Sequence, residues 1–383
     1  MREIIFLLAL ASANSGIALR VVEPMLPQLA DDFGVSVSVA AIVITAYALA
    51  YGCSQLCYGP IGDRFGKLKV VTLTLIGAAA GSFGCALAQD VTTLAAMRFV
   101  TALFASSPVM LGMAYIGDHV PIAERQPVLA RFIAGTIIGQ ALGPVVGGVI
   151  TDWFGWRGAF AVLGAVFAGV SLVLFVRTRA LWPQDAGARF SGNPFATYLR
   201  VFSLSRVRHV VIPGFIETFF FFGAFSFLGA HLKLRFDLSL TLIGVILAGF
   251  GIGGVLYTLV VRRLLTRLGQ RGLVIRGAAI CCGCFVLMAL TPVWQVTLPC
   301  AIGLGFSFYM MHNTLQVKAT EMAPQARGTG LSLYSSTWAL GQAAGVATMG
   351  LAVGLFDYTP SIIAFGCGYL VLGIWLRANL DKL

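Results

Sequence analysis

Five ionisable side chains stand inside long apolar stretches of this sequence, and their types limit the chemistry that they can perform. They are Arg20, Glu23, Arg98, Glu217 and His312. A lone charge at the centre of a bilayer costs about 2.5–3.5 kcal/mol even on a lenient insertion scale, so such residues are typical of proton and solute pathways. We find no nucleophile–base motif, phosphate-binding loop or metal-ligand cluster on a loop. The pattern therefore predicts binding and proton exchange rather than an enzyme, with no cofactor and no metal.

Arg20 and Glu23 lie three residues apart, which places both on one face of a helix. Two interpretations remain open. They can form a self-neutralising structural pair, or Glu23 can carry a proton. Burial favours the neutral acid and a neighbouring arginine favours the carboxylate. Opening and closing of a cavity would then alternate the two effects, so that Glu23 loads and unloads a proton.

Glu217 is the second candidate proton carrier. It has no basic residue within one turn of its own helix, and apolar surroundings should keep it protonated near neutral pH. The alternative is an acid that hydrogen-bonds a neighbouring helix. His312 stands in Met310-Met311-His312-Asn313, and we interpret it as a polar cavity residue rather than a metal ligand.

Polar and aromatic residues on the same stretches predict a substrate cavity. A few inward-facing rings would suit an amphipathic aromatic compound, whereas the positive charges of Arg20 and Arg98 with His312 would suit an organic anion. The sequence leaves this choice open. The candidate substrate-binding residues are Asn14, Tyr47, Phe219, Phe222, Tyr309, His312, Asn313, Trp338 and Gln342.

The elements that must position these side chains are membrane spans. Of the 383 residues, 58% are hydrophobic and only 11% are charged, whereas a soluble domain carries about 25% charged residues. A spanning helix needs about 20 apolar residues, so the length is used up by about twelve helices and an ordinary soluble protein is excluded. The predicted spans are 4–29, 38–58, 70–89, 93–117, 128–150, 158–176, 209–231, 239–261, 273–291, 294–317, 329–354 and 360–377.

The start of the chain imitates a secretory signal, because Arg2 precedes an apolar run and an Ala-Ser-Ala site. We favour a first spanning helix, since the apolar run continues to Leu29. The loops on the side of the termini, together with the two termini, hold 21 of the 26 Lys and Arg residues. This asymmetry predicts cytoplasmic termini in a cell inner membrane. The basic residues are spread over several loops, so the formal charge of +11 does not indicate nucleic-acid binding.

An internal repeat divides the chain. Residues 33–36, Phe-Gly-Val-Ser, correspond to residues 236–239, Phe-Asp-Leu-Ser, and Gly139-Gln140 corresponds to Gly341-Gln342. We predict two parallel six-helix halves, 1–177 and 209–383, joined by a cytoplasmic linker at 178–208. Such halves form a transporter architecture in which the substrate binds between them and rocking exposes it to each side in turn. Neither acid has an ionisable counterpart, because Glu23 falls opposite Ser226 and Glu217 opposite Asn14.

A charged loop follows the second span and predicts a gate. Residues 59–69 read Gly-Pro-Ile-Gly-Asp-Arg-Phe-Gly-Lys-Leu-Lys. Glycines allow a tight turn, and the basic side chains can reach an acid at the inner end of the fourth span. The candidate gating residues are Gly59, Asp63, Arg64, Gly66, Lys67 and Asp118. The loop resembles the signature of the major facilitator superfamily, although Thr266 replaces the acid in the second half.

The fifth span carries a stripe of small residues at a spacing of four, which allows close approach of another helix, and a proline that bends it. These helix-packing residues are Gly135, Gly139, Gly143, Pro144 and Gly147. Residues 143–148, Gly-Pro-Val-Val-Gly-Gly, resemble the antiporter motif of the drug:proton antiporters. Pro24-Met-Leu-Pro27 and Arg98 are similar to two further motifs of that family, and the resemblance implies a role for Arg98 in proton coupling.

The resemblance covers the chain and implies an all-α membrane protein with the major facilitator fold, twelve transmembrane helices in two pseudo-symmetric halves. It also implies an exporter that exchanges protons for a small organic solute across the lipid bilayer by alternating access. Nothing in this fold requires more than a monomer. Two alternatives remain: a facilitator or proton symporter for a sugar or organic anion, and a membrane sensor that does not transport.

Overall fold

The computed structural model describes residues 2–182 and 194–382, and this part of the chain is helical without a strand. Residues 183–193 of the predicted linker lie outside the described residues. Nine helical segments of the described chain are long and apolar enough to cross a membrane. Two of them contain a break at a glycine with positive φ, Gly155 (φ 72°) and Gly269 (φ 62°). Dividing these two and adding Thr297–Glu321 gives twelve segments, which is consistent with the twelve predicted spans.

We number these segments in chain order. They are α1 Glu3–Phe33, α2 Val37–Phe65, α3 Lys67–Ala86, α4 Val91–His119, α5 122–154, α6 156–178, α7 Ser205–Phe236, α8 240–268, α9 270–290, α10 Thr297–Glu321, α11 Arg327–Phe356 and α12 Tyr358–Asn379. Most extend beyond the predicted apolar runs, because a helix keeps its backbone hydrogen bonds satisfied outside the hydrocarbon. An additional helix, Pro194–Ser203, precedes α7; we call it the linker helix.

The helix connections lie at two opposite ends of the bundle. The Lys67 end is where α2 passes into α3 at Gly66 and where the linker helix packs on α11. The Asp152 end is opposite, where α5 passes into α6 and α7 passes into α8. We call α1–α6 the first half and α7–α12 the second half.

The turns of the two halves repeat. Every described residue with a positive φ has a counterpart 202 or 203 positions away: Gly34 with Asp237, Gly66 with Gly269, and Gly155 with Asp357. Ser36 and Ser239, also 203 apart, each accept a hydrogen bond from the backbone N–H three residues later and cap the next helix. The repeat noticed in the sequence is therefore also a repeat of backbone conformation.

Glycines bring α1 against α5. A Cβ added to Gly139 would lie 2.8 Å from Ala13 Cα, and one added to Gly147 would lie 3.0 Å from the carbonyl carbon of Val21. Gly135 and Gly143 make the same kind of approach to α1, at Ala9 and at Ile17 and Arg20. The second half repeats it, because Gly341 and Gly345 of α11 lie against Phe215 and Phe219 of α7. Pro144 lies on another face of α5, against Gly244 of α8.

Candidate functional site

Arg20 and Glu23 form a buried ion pair. Their side chains are 2% and 1% exposed, and Arg20 Nη1 donates to Glu23 Oε1 at 2.8 Å. The guanidinium also lies 3.8 Å from the ring centroid of Phe222, on α7. The backbone of Glu23 lies against Gly229 of the same helix. The pair predicted from the i,i+3 spacing therefore lies where the first half meets the second.

Glu217 has a basic partner on another helix. His312 Nδ1 lies 2.9 Å from Glu217 Oε2, which joins α7 to α10. Glu217 is completely buried, and the ring of His312 stacks on Phe308 at 4.9 Å. The sequence indicates both residues as candidates but does not predict their contact. They are 95 positions apart, and no local spacing signals a contact of that kind.

Arg98 is buried inside the first half. Its Nη1 donates to the carbonyl oxygen of Ala18 at 2.9 Å, and its guanidinium lies 3.7 Å from the ring centroid of Tyr47. Among the described residues no carboxylate forms an ion pair with it, and its Nε and Nη2 atoms have no hydrogen-bond partner. The structure thus joins Arg98 to the backbone of α1 and not to the carboxylate of Glu23.

Several predicted substrate-binding residues carry buried polar atoms that the described chain leaves without a hydrogen-bond partner. They are Asn14 Nδ2, the Tyr47 hydroxyl, Trp338 Nε1 and both amide atoms of Gln342. Glu23 Oε2 and Glu217 Oε1 are also buried and have no hydrogen-bond partner in the described chain. Buried polar groups in folded proteins are nearly always satisfied, so these atoms are suited to hold water or a polar solute.

Three of the aromatic candidates lie in one cluster. Phe222 lies 5.2 Å from the ring of Trp338, and Tyr309 joins the same cluster through Phe250 and Phe308. Arg20 therefore rests on a member of this aromatic cluster, which consists of Phe222, Phe250, Phe308, Tyr309 and Trp338.

Two other candidates have contacts elsewhere in the second half. Phe219 stacks on Phe365 of α12 at 5.6 Å. Asn313 lies beside Tyr257 of α8. The structure therefore does not bring these two side chains to the aromatic cluster.

The predicted gating residues meet at the Lys67 end. Lys67 Nζ lies 3.1 Å from Asp63 Oδ1 and 2.7 Å from Asp118 Oδ2. Arg64, which was also expected to reach Asp118, lies over the ring of Phe65 instead. Gly66 has a φ of 89°, which favours glycine at this turn.

A cavity of about 290 Å³ opens beside this cluster, between the two halves and the linker helix. Gly59 lines it and has open space where a Cβ would stand, so no helix approaches it closely. The hydroxyl of Tyr198 on the linker helix donates to Ser332 of α11, and Ser332 donates to the carbonyl oxygen of Gln55 on α2. Sequence reasoning missed this chain of contacts, since its members are ordinary polar residues with no motif.

Comparisons with known proteins bear on the family and the fold of this chain. A family model described as Major Facilitator Superfamily matches residues 8–346. The chain is 26% identical over 367 residues to the MFS-type transporter YceJ of Bacillus subtilis (strain 168), covering 94% of this chain and 91% of that protein. A shorter match, 32% identical over 146 residues, covers 38% of this chain and 24% of the efflux pump FUB11 of Gibberella moniliformis (strain M3125 / FGSC 7600). A crystal structure of the peptide transporter POT has the same fold, with a TM-score of 0.79 at 16% identity over 99% of this chain and 94% of that one.

Proposed function

This chain belongs to the Major Facilitator Superfamily, and we propose that it exports a small organic solute in exchange for protons by alternating access. As a member it is a multi-pass membrane transporter rather than an enzyme. The direction of transport, the proton coupling and the substrate class form the proposal. A similarity to proteins named as efflux pumps supports the direction.

The observation that carries the proposal is that two buried acids each contact one basic side chain among the described residues. Glu23 pairs with Arg20, and Glu217 pairs with His312. When either acid binds a proton, its carboxylate loses the negative charge that attracts the basic partner. When the proton leaves, the carboxylate regains that charge. Because Arg20 rests on Phe222 of the other half, rocking of the halves changes the surroundings of the Glu23 pair. Proton binding and the conformational change are thereby coupled.

Charge on the loops supports the orientation. The Lys67 end holds Lys67, Arg64 and Lys69, and basic residues concentrate on the cytoplasmic side of membrane proteins. We therefore place the Lys67 end and both termini in the cytoplasm of a cell with the chain in its inner membrane. The Asp152 end then faces outward, and protons reach Glu23 from that side.

The surroundings of Arg20 and Glu23 support an amphipathic substrate with an aromatic or other apolar body. The aromatic cluster around Phe222 supplies the apolar wall, and Trp338 and Gln342 supply free hydrogen-bonding atoms. An organic anion is the second candidate, because the Arg98 guanidinium is buried without a carboxylate partner. A monomer is sufficient for this mechanism.

Proton movement in reconstituted vesicles tests the proposal. A pH gradient is imposed across the vesicle membrane, and one of three probes is added: ethidium, glucose or benzoate. The collapse of the pH gradient is then followed for wild type, Glu23→Gln and Glu217→Gln. Glu321→Gln is the matched control, because Glu321 is an exposed acid that contacts Arg206 at 4.0 Å. We expect one probe to collapse the gradient with wild type and the control, and one buried-acid variant to abolish the effect.

Three other outcomes identify the alternatives. Probe movement without proton movement, unaffected by either variant, indicates a facilitator. Proton movement in the same direction as the probe indicates a symporter. Probe binding without any flux indicates a membrane sensor.

A further inference from the structure

At the Asp152 end, one carboxylate of the first half binds the beginning of a helix in the second half. Asp152 Oδ2 accepts hydrogen bonds from the backbone N–H of Thr241 at 2.7 Å and from its hydroxyl at 2.6 Å. Asp152 Oδ1 accepts from the N–H of Leu240 at 3.2 Å. These contacts join the end of α5 to the start of α8, so they connect the two halves directly.

The start of a helix is the part of the backbone that most needs such a partner. Its first N–H groups have no acceptor within the helix, and its dipole favours a negative charge there. The side-chain hydroxyl of Ser239, the cap residue of α8, accepts from the N–H of Leu242. The two N–H groups between them, those of Leu240 and Thr241, are therefore satisfied by a residue that belongs to the other half.

Close backbone packing accompanies these hydrogen bonds. A Cβ on Gly148 of α5 would lie 2.7 Å from the carbonyl carbon of Leu240, and one on Gly244 of α8 would lie 2.9 Å from that of Pro144. Separation of α5 from α8 at this end exposes the N–H groups again and leaves the carboxylate without its donors. The Asp152 contact is consequently made only while the halves are together here.

The internal repeat supplies a comparison within the same molecule. Residue 354 is the counterpart of Asp152, and Ser38 is the counterpart of Thr241. The second half has Gly354 at that position, and a Cβ there would lie 3.8 Å from Ser38 Oγ, without any charge. The two related contacts between the halves thus differ, and only the α5–α8 contact contains a carboxylate.

We propose that Asp152 is a positioning residue for transport, which holds the Asp152 end closed by capping α8 across the two halves and releases it when that end opens. This inference rests on the alternating-access function proposed above, but it does not depend on which acid carries the proton or on which solute moves. Asp152 acts through the relative position of the halves and has no contact with the buried acids.

A distance measurement across the Asp152 end tests this role. Spin labels are attached through ketone-bearing amino acids at Leu87 and Leu290, so that the native cysteines stay in place. Both positions are exposed and lie 203 residues apart, at corresponding places in the two halves. Leu87 follows α3, and Leu290 is the last residue of α9. Electron–electron double resonance on protein in lipid nanodiscs then gives the populations with this end closed (short distance) and open (long distance).

Asp152→Ala is compared with Asp90→Ala, a control with the same chemistry inside one half. Asp90 caps α4 by accepting from the N–H and hydroxyl of Thr93 at 2.8 and 2.7 Å. We expect Asp152→Ala to raise the open-to-closed ratio about fivefold, which corresponds to about 1 kcal/mol, and Asp90→Ala to leave it unchanged. Thr241→Val removes one of the three hydrogen bonds and should give a smaller change in the same direction. This second variant keeps the test available if Asp152→Ala does not fold.

Two results would overturn the proposal in distinguishable ways. If wild type shows both distances and neither Asp152→Ala nor Thr241→Val changes their ratio, the role of Asp152 is wrong while alternating access stands. If wild type and the variants all keep one distance whatever the pH or added probe, the proposed transport cycle fails together with the role of Asp152.

Discussion

Replacement of Gly139 by alanine tests the contact on which the first half is built. The added Cβ would lie 2.7 Å from the carbonyl carbon and 2.8 Å from the Cα of Ala13, whereas ordinary contact begins at 3.4 Å. Both atoms belong to the backbone, so no side-chain rotation can make room. α5 must therefore move away from α1 by at least about 0.7 Å at this point. Overpacking of this kind costs about 1–3 kcal/mol.

The control is Gly169→Ala on α6, where a Cβ would meet no atom within 4 Å. Alanine at an open helical position stabilises a helix by up to about 1 kcal/mol relative to glycine. We expect the apparent melting temperature of Gly139→Ala in detergent to fall at least about 3 °C below that of Gly169→Ala. Gly341→Ala, at the corresponding place on α11, should behave like Gly139→Ala. Equal melting temperatures for all three variants would refute the argument from close backbone approach.

Three further pairs of variants test other parts of the structure. Lys67→Met removes the cation that contacts two acids, whereas Arg64→Met removes one that lies over a phenylalanine ring; transport in vesicles should fall much more for the first, and equal losses would contradict a special role for Lys67. Trp156→Phe deletes the indole N–H that donates to Asp32 Oδ2 at 2.7 Å, so the melting temperature should fall by an amount corresponding to about 1–3 kcal/mol, while Asp32→Asn, which keeps an acceptor, should lose less. Asp357 has a φ of 69° and a ψ of 171°, which glycine tolerates and branched residues do not; Asp357→Val should therefore lower the yield of folded protein, measured by size-exclusion chromatography, and Asp357→Gly should not.

The helical membrane fold could be predicted because its signals are dense and local. Apolar runs long enough to span a bilayer recur along the chain, and a twofold repeat constrains their arrangement. The fold class and the superfamily are both confirmed by the family match and by the structural similarity. Helix ends were predicted less well, since hydropathy reports where lipid ends and not where helical hydrogen bonding ends. α7, for example, runs from Ser205 to Phe236 although its apolar run is 209–231.

The residues of the candidate site could be predicted from the sequence, but most of the contacts between them could not. A charge inside an apolar run is conspicuous, so Glu217 and His312 were both found, but their pairing depends on how α7 packs on α10. The i,i+3 spacing of Arg20 and Glu23 did predict their contact, because one helix fixes it. Asp152 escaped notice because it stands at the end of a span among ordinary loop residues, where a charge has no cost that would single it out.

The repeat and its exceptions divide the molecule by role. Turns, helix caps and glycine contacts recur in both halves, as expected of the parts that let each half move as a unit. The exceptions are charged. Glu23 stands opposite Ser226, Glu217 opposite Asn14, and Asp152 opposite Gly354. The two halves are parallel, so exchanging them leaves the two sides of the membrane distinct, and the repeat alone does not make the two ends alike. The three acids distinguish one half from the other instead. We therefore expect proton binding and closure of the Asp152 end to be divided unequally between the halves, at these three positions.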